Sequence, residues 1–304
     1  METAVCHRLP PSVRQPTRLN IFNLRNRPTK LSLAETKAEV ARAGVLDKKQ
    51  PHEFVEKLID LEHGVGTYQA VLVGLLSVSD NVRMAEINEG LELFEKIRQA
   101  LPPRLAWISD YDRLYDLLGP ALKYVEGQRE TLLGLKSLAD NLSLGTDKGV
   151  GDCLVCSSLY ALATLSRGGL AGEARRIGWR HNYTLLPIRG QGFYLYDRQA
   201  TSPDFFLLEE PHEFVLSNHF SFISSLLLGQ TSEQVENKYK LVASDREKLL
   251  LNLELVELIN PFHSYIYKYR KDIYFIERKP ELEEMNKQYY LQMREQKGSP
   301  LTFS

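Results

Sequence analysis

Apolar positions recur with a period near 3.6 over most of the stretch from Leu31 to Leu142, which predicts a succession of amphipathic helices. Ser32 followed by Glu35 is a capping box, and the helix it starts runs toward Gly44. Pro51 opens a second helix carrying Phe54, Val55, Leu58, Ile59 and Leu61 on one side. A third covers about Thr67 to Ser77. A fourth, Asn81 to Leu101, places Met84, Ile87, Leu91, Phe94 and Ile97 in register and is closed by Pro102-Pro103. Two more segments follow, Ser109 to Leu118 and Pro120 to Leu142.

The pattern changes at Leu144. Gly145, Gly149 and Gly151 crowd together, then Asp152-Cys153 opens a strongly apolar helix that ends at Arg167-Gly168-Gly169. The period then drops toward two, and Glu173 to Trp179, His181 to Ile188 and Gly192 to Asp197 read as three short strands joined by glycine-containing turns. Beyond Pro203 the expectation returns to helix, through Pro211, Glu233 and Asp245. Phe262 to Ile276 suits helix and strand equally, and the charged tail from Lys279 reads as an exposed helix. The pentapeptide Pro-His-Glu-Phe-Val occurs at 51–55 and 211–215 with unrelated flanks, a coincidence and not a repeat.

The fold class expected is therefore α+β. Its expected divisions are a basic tail over 1–30, a helical region over 31–136, a mixed core over 137–230 and a helical region over 231–304. At 304 residues the chain can bury a sizeable core. Its 38 basic and 39 acidic side chains leave a net charge of -1, without the basic excess of a nucleic-acid binder. The longest apolar-rich runs, Val71 to Val78 and Leu249 to Ile259, fall short of the roughly 20 residues of a membrane span. Three cysteines cannot build a secreted disulfide framework, so a cytoplasmic protein is expected. The first 30 residues carry six basic groups against Glu2 and several prolines, with no central apolar segment, which suits a flexible tail better than a targeting signal.

The chemistry concentrates in Gly149-Val-Gly-Asp-Cys153-Leu-Val-Cys156. A glycine-rich turn sets Cys153 in the first turn of a buried helix. The unpaired N–H groups and positive dipole end there favour a thiolate and suit the oxyanion formed when a carbonyl is attacked. His181 lies 28 residues further on, and Asp197 another 16. Adjacent antiparallel strands bring these two side by side, so the expected catalytic set is Cys153 as nucleophile, His181 as general base and then acid, and Asp197 orienting the imidazole.

In this order the residues resemble the transglutaminase-like superfamily, papain-related cysteine enzymes, and its prokaryotic members in particular. The resemblance runs over about residues 137–202. It rests on Gly151-Asp152-Cys153, Ser157-Ser158-Leu159-Tyr160-Ala161-Leu162, Gly169, Ala174-Arg175-Arg176-Ile177, His181-Asn182-Tyr183 and Phe193-Tyr194-Leu195-Tyr196-Asp197. It implies a helix packed on a small antiparallel sheet, thiol-dependent acyl transfer on an amide or peptide bond, a peptide or protein substrate, and no cofactor. It also implies a side-chain oxyanion donor upstream of the cysteine, for which Asn141 is the candidate. This sequence joins its first two strands through Gly178-Trp179-Arg180, a shorter connection than the family's, and has Arg198 where proline is frequent.

Two other classes stay open. A scaffold that keeps the fold but lacks turnover would bind a peptide or protein through its helical flanks. Metal or redox use of Cys153-x-x-Cys156 is the third, although Cys156, one turn along, is expected in the core. Asp152 is expected to cap the helix, Tyr183 and Trp179 either to border a cleft or to pack in the interior, and His52, His63, His212, His219 and His263 to be structural. The pair Glu209-Glu210 is expected at a solvated helix start.

Overall fold

The computed structural model describes residues 30–79, 82–102, 104–176, 181–188, 191–197, 205–208, 214–217, 219–236, 242–261 and 263–295. Ser32 caps α1 (Leu33–Ala43) through the expected box, donating and accepting with Glu35. Then come α2 (Pro51–Gly64), α3 (Thr67–Val78), α4 (Met84–Ala100) and α5 (Ile108–Leu118). Every residue of α3 is buried, as its nearly unbroken apolar run requires. The amphipathic helices around it turn Phe54, Leu58, Ile87, Leu91 and Phe94 inward.

The expected segment Pro120 to Leu142 divides. A 3-10 turn (Gly119–Ala121) leads into an irregular stretch, and the helix α6 (Thr131–Leu144) starts later than its pattern suggests. The reason is a second set of backbone bonds. Val125 N–H donates to Gly151 O at 2.8 Å, Val150 N–H to Lys123 O at 2.8 Å and Asp152 N–H to Gln128 O at 2.9 Å. Residues 123–128 are thus held against the loop before Cys153, and no local periodicity announces that.

Helix α7 (Cys153–Ser166) is buried at every position after Cys153. Gly134 lets α6 lie close to it, since a Cβ there would fall 2.6 Å from Val155 Cγ1 and 2.8 Å from Val150 O.

Strands β1 (Gly172–Arg176), β2 (Asn182–Ile188), β3 (Gly192–Tyr196), β4 (Phe205–Leu207) and β5 (Phe214–Ser217) form one antiparallel sheet in the order β4-β3-β2-β1-β5. The first three follow the expected strands. β4 and β5 replace the helix expected beyond Pro203; each is only three or four residues long and is defined by pairing with β3 or β1, not by a period of its own. Residues 177–180, with Trp179, lie outside the described residues, as do the basic tail over 1–29, His212 and Glu209-Glu210. Arg175 pairs opposite Asn182, so the short connection separates two strands.

The chain ends in α8 (Ser221–Glu236), α9 (Ala243–Ile259), α10 (Tyr265–Ile276) and α11 (Pro280–Glu295). The ambiguous aromatic stretch is helical, with Ile266, Tyr267, Tyr269 and Ile273 buried at helical spacing. The tail helix is not wholly exposed: Asn286 and Met293 are buried, and Tyr289 packs edge-on against Tyr267 at 5.6 Å.

The architecture is mixed α and β. One continuous apolar core takes residues from Val40 to Met293, and a smaller cluster of Ala174, Tyr183, Leu185, Leu195 and Leu208 covers the other face of the sheet. Among the described residues no helix is long and apolar enough to cross a membrane.

Candidate active site

Cys153 is the first residue of α7 and is partly exposed. Asp152 caps the helix as expected, its Oδ1 accepting from Leu154 N–H at 3.0 Å and Val155 N–H at 3.2 Å. Two of the N–H donors at this helix end are thereby taken and do not face an oxyanion. The Cys153 N–H is left without a partner among the described residues. Burial pushes the Asp152 carboxyl above its usual range, against the opposing pull of the Val155 N–H and of Arg129, whose Nε lies 3.5 Å from Oδ2. Gly151 is required sterically, because a Cβ would meet Val155 Cβ at 2.4 Å.

His181 stands immediately before β2 and Asp197 immediately after β3, one residue outside the strands expected to hold them. The antiparallel register brings them together, and His181 Nε2–H donates to Asp197 Oδ1 at 2.7 Å. Their side chains retain only 15% and 12% of their accessible surface. The imidazole also hydrogen-bonds the Cys153 side chain. With Nε2 committed to Asp197, the nitrogen left for the sulfur is Nδ1. The ring rests edge-on against Tyr183, with centroids 4.6 Å apart. All three residues expected from the sequence therefore meet in one place.

Burial alone would lower the His181 pKa. The hydrogen bonds to Asp197 and Cys153 and the charges on both outweigh it and raise the pKa to about 9. The imidazolium is the form favoured by the fold. Its stabilising contribution is full below the unfolded value of about 6.5 and is lost as pH rises through about 9. In an NMR titration the His181 ring should change protonation near pH 9, and in Asp197→Ala it should move down toward 6.5; a wild-type midpoint at 6.5 would contradict this coupling.

A polar layer behind the three fixes their separation. The Ser157 hydroxyl lies 2.6 Å from Cys153 O and 3.1 Å from Asn182 O, joining α7 to the residue after His181. Thr184 Oγ1 donates to Ser157 O at 2.7 Å. On the Asp197 side, Tyr196 stacks on Tyr160 of α7 at 3.9 Å, and the Tyr160 hydroxyl donates to Tyr111 O at 3.1 Å.

Asn141 does not serve as the upstream donor. Its Nδ2 donates to Ala121 O at 2.8 Å and Lys148 O at 2.9 Å, and its Oδ1 accepts from Thr146 and the Lys148 N–H. Both amide hydrogens are used in pinning the loop before Cys153. The residue that sequence reasoning missed is Tyr124. It bridges to Gly151 and is partly exposed. Burial first, and then negative charge on Cys153, push its hydroxyl pKa up, so the ring lies within electrostatic range of the thiol. The only local signal was a tyrosine in an interrupted helical pattern.

Cys156 is fully buried, its thiol donating to Gly151 O at 3.3 Å. His52 and His63 lie at the ends of α2. His219 and His263 are buried beside Glu62 and Arg175, with Nε2 contacts of 3.2 and 3.3 Å respectively.

Comparison with protein-family models, with curated proteins and with solved structures returned no match for this chain.

Proposed function

We propose that the chain is a papain-like, transglutaminase-type cysteine enzyme that transfers an acyl group from an amide or peptide. Cys153 Sγ attacks the carbonyl carbon, the carbonyl π pair moves onto oxygen, and the tetrahedral centre collapses to a thioester. His181, protonated at Nδ1, gives that proton to the departing amine. It then takes a proton from water or a second amine as that nucleophile displaces Cys153. Asp197 holds the ring through Nε2 and stabilises its positive form. The oxyanion faces the Cys153 N–H and the Tyr124 hydroxyl.

The observation that carries this reading is His181 joined at once to Asp197, at 2.7 Å, and to Cys153 at a helix N-terminus. A scaffold without turnover has no need of an imidazole held protonated against a thiol.

Incubation with p-nitrophenyl acetate tests it. The expected result is a burst of p-nitrophenol and an acetyl group mapped to Cys153, both absent in Cys153→Ala. No acetylation at Cys153 would contradict the proposal. Tyr124→Phe should slow acetylation about 100-fold, the usual effect of losing one oxyanion donor. The same change should affect alkylation by iodoacetamide far less, because that reaction develops no oxyanion. Equal effects on both would remove Tyr124 from this role.

A further inference from the structure

Beside Cys153 lies a cleft of about 170 Å³ that reaches from the start of α7 past β1 and α8 to the start of α10. Its polar lining includes Arg129, Arg175 and Asn182, and Tyr265 and Tyr269 wall one side. Asn182 is only 4% exposed. Arg175 donates to its Oδ1 twice, from Nε at 2.8 Å and from Nη2 at 2.6 Å. A guanidinium has no acceptor, so this contact orients the amide: oxygen toward Arg175, Nδ2 turned away from it. That Nδ2 donates to none of the described residues and is not sealed from the cleft it lines. An amide donor left open to a cleft is met by water or by a ligand's acceptor.

The two guanidiniums are balanced only loosely. Arg175 Nη2 is 3.6 Å from Glu173 Oε1, a buried carboxylate that also accepts from Ser225 Oγ, and Arg175 Nη1 is 3.3 Å from His263 Nε2. Arg129, 42% exposed, meets Asp152 at 3.5 Å and Glu233 at 4.0 Å. Burial pushes the Glu173 carboxyl above its usual range, which weakens the compensation of Arg175 further.

We infer that this cleft is the acyl-donor pocket and selects an amide substrate bearing a carboxylate, which accepts from Asn182 Nδ2 and lies between the Arg175 and Arg129 guanidiniums. The inference rests on Cys153 being the nucleophile proposed above. Arg175 has a double part in it, orienting Asn182 and contributing charge. Carboxylates are the natural partners of converging N–H donors with positive charge behind them.

The test compares alkylation of Cys153 by iodoacetate, which carries a carboxylate, and by iodoacetamide, its neutral counterpart. Rates are read at the Cys153 peptide by mass spectrometry on the full chain, against N-acetylcysteine. The expected preference for iodoacetate exceeds that of the free thiol by about tenfold, as one charge-assisted contact would give. It should fall toward the free-thiol value in Asn182→Asp, which keeps an oxygen for Arg175 but replaces the donor, and in the half-exposed Arg129→Gln. Glutarate should protect Cys153 from iodoacetamide where glutaramide does not. A preference unchanged in both variants would overturn the inference, assigning the attraction to the imidazolium alone. Rapid alkylation with no preference would overturn the pocket and leave the triad standing. Slow alkylation by both reagents would overturn the triad, and the pocket with it.

Discussion

His181→Ala should slow acylation of Cys153 by p-nitrophenyl acetate at pH 7 by at least about 100-fold. General acid–base assistance by a positioned side chain contributes roughly 10²–10⁴-fold. Two roles are lost together here. In the proposed mechanism the imidazole carries the proton for the thiol, and its positive charge is a hydrogen-bonded counterion for a thiolate at the start of α7. The helix N-terminus remains in the variant, with the Asp152 carboxylate already occupying the Leu154 and Val155 N–H groups. The dipole end alone therefore does little for the sulfur. Asp197→Ala should cost less than His181→Ala, because it removes the group that orients the ring and not the ring itself. A His181→Ala protein acylated at the wild-type rate would remove the imidazole from the mechanism.

Tyr160→Ala should destabilise the fold by about 3–5 kcal/mol, the range for truncating a large buried aromatic. Tyr160 is fully buried on α7, stacks on Tyr196 at 3.9 Å and 15°, and uses its hydroxyl on Tyr111 O. The loss adds a cavity to a lost hydrogen bond and a broken ring pair. Denaturant unfolding monitored by circular dichroism measures it. Because Tyr196 directly precedes Asp197, the same substitution should loosen the carboxylate and lower the His181 pKa from about 9. Tyr160→Phe keeps the stack and loses only the hydroxyl, so its cost should be about 1 kcal/mol with the His181 titration retained. Equal destabilisation by the two variants would mean that the stack contributes nothing.

The helices and the three central strands were legible because each carries its own period. The capping box at Ser32, the buried run from Thr67 and the alternation through Asn182 to Ile188 are local facts, and the structure follows them. What failed was set by distant partners. Phe54-Val55 lies within a helix and Phe214-Val215 within a strand, although the same Pro-His-Glu-Phe-Val pentapeptide surrounds both. The first is completed by an amphipathic run, the second by pairing with β1. Residues 123–128 are likewise drawn out of the expected helix by the loop before Cys153.

The site divides the same way. Cys153, His181 and Asp197 could be read from the sequence because strand register converts their spacing into proximity. The upstream donor could not be read. Asn141 has the right chemistry, but its donors are spent on Ala121 and Lys148. Tyr124, the donor proposed in its place, is held near the loop before Cys153 by the Tyr124–Gly151 bridge, a contact between segments 27 residues apart. Arg175 and Asn182 were visible as members of a motif. Their bond to each other required knowing that they sit opposite on adjacent strands.

The most direct test of the account is the rate of Cys153 alkylation by iodoacetamide as a function of pH, on wild type, His181→Ala and Asp197→Ala. The account predicts rapid alkylation of the wild type well below the pH of about 8.5 at which an ordinary thiol titrates. That low-pH reactivity should disappear in His181→Ala and diminish in Asp197→Ala. Three superimposable profiles, each rising only near pH 8.5, would contradict a working Cys153–His181–Asp197 triad.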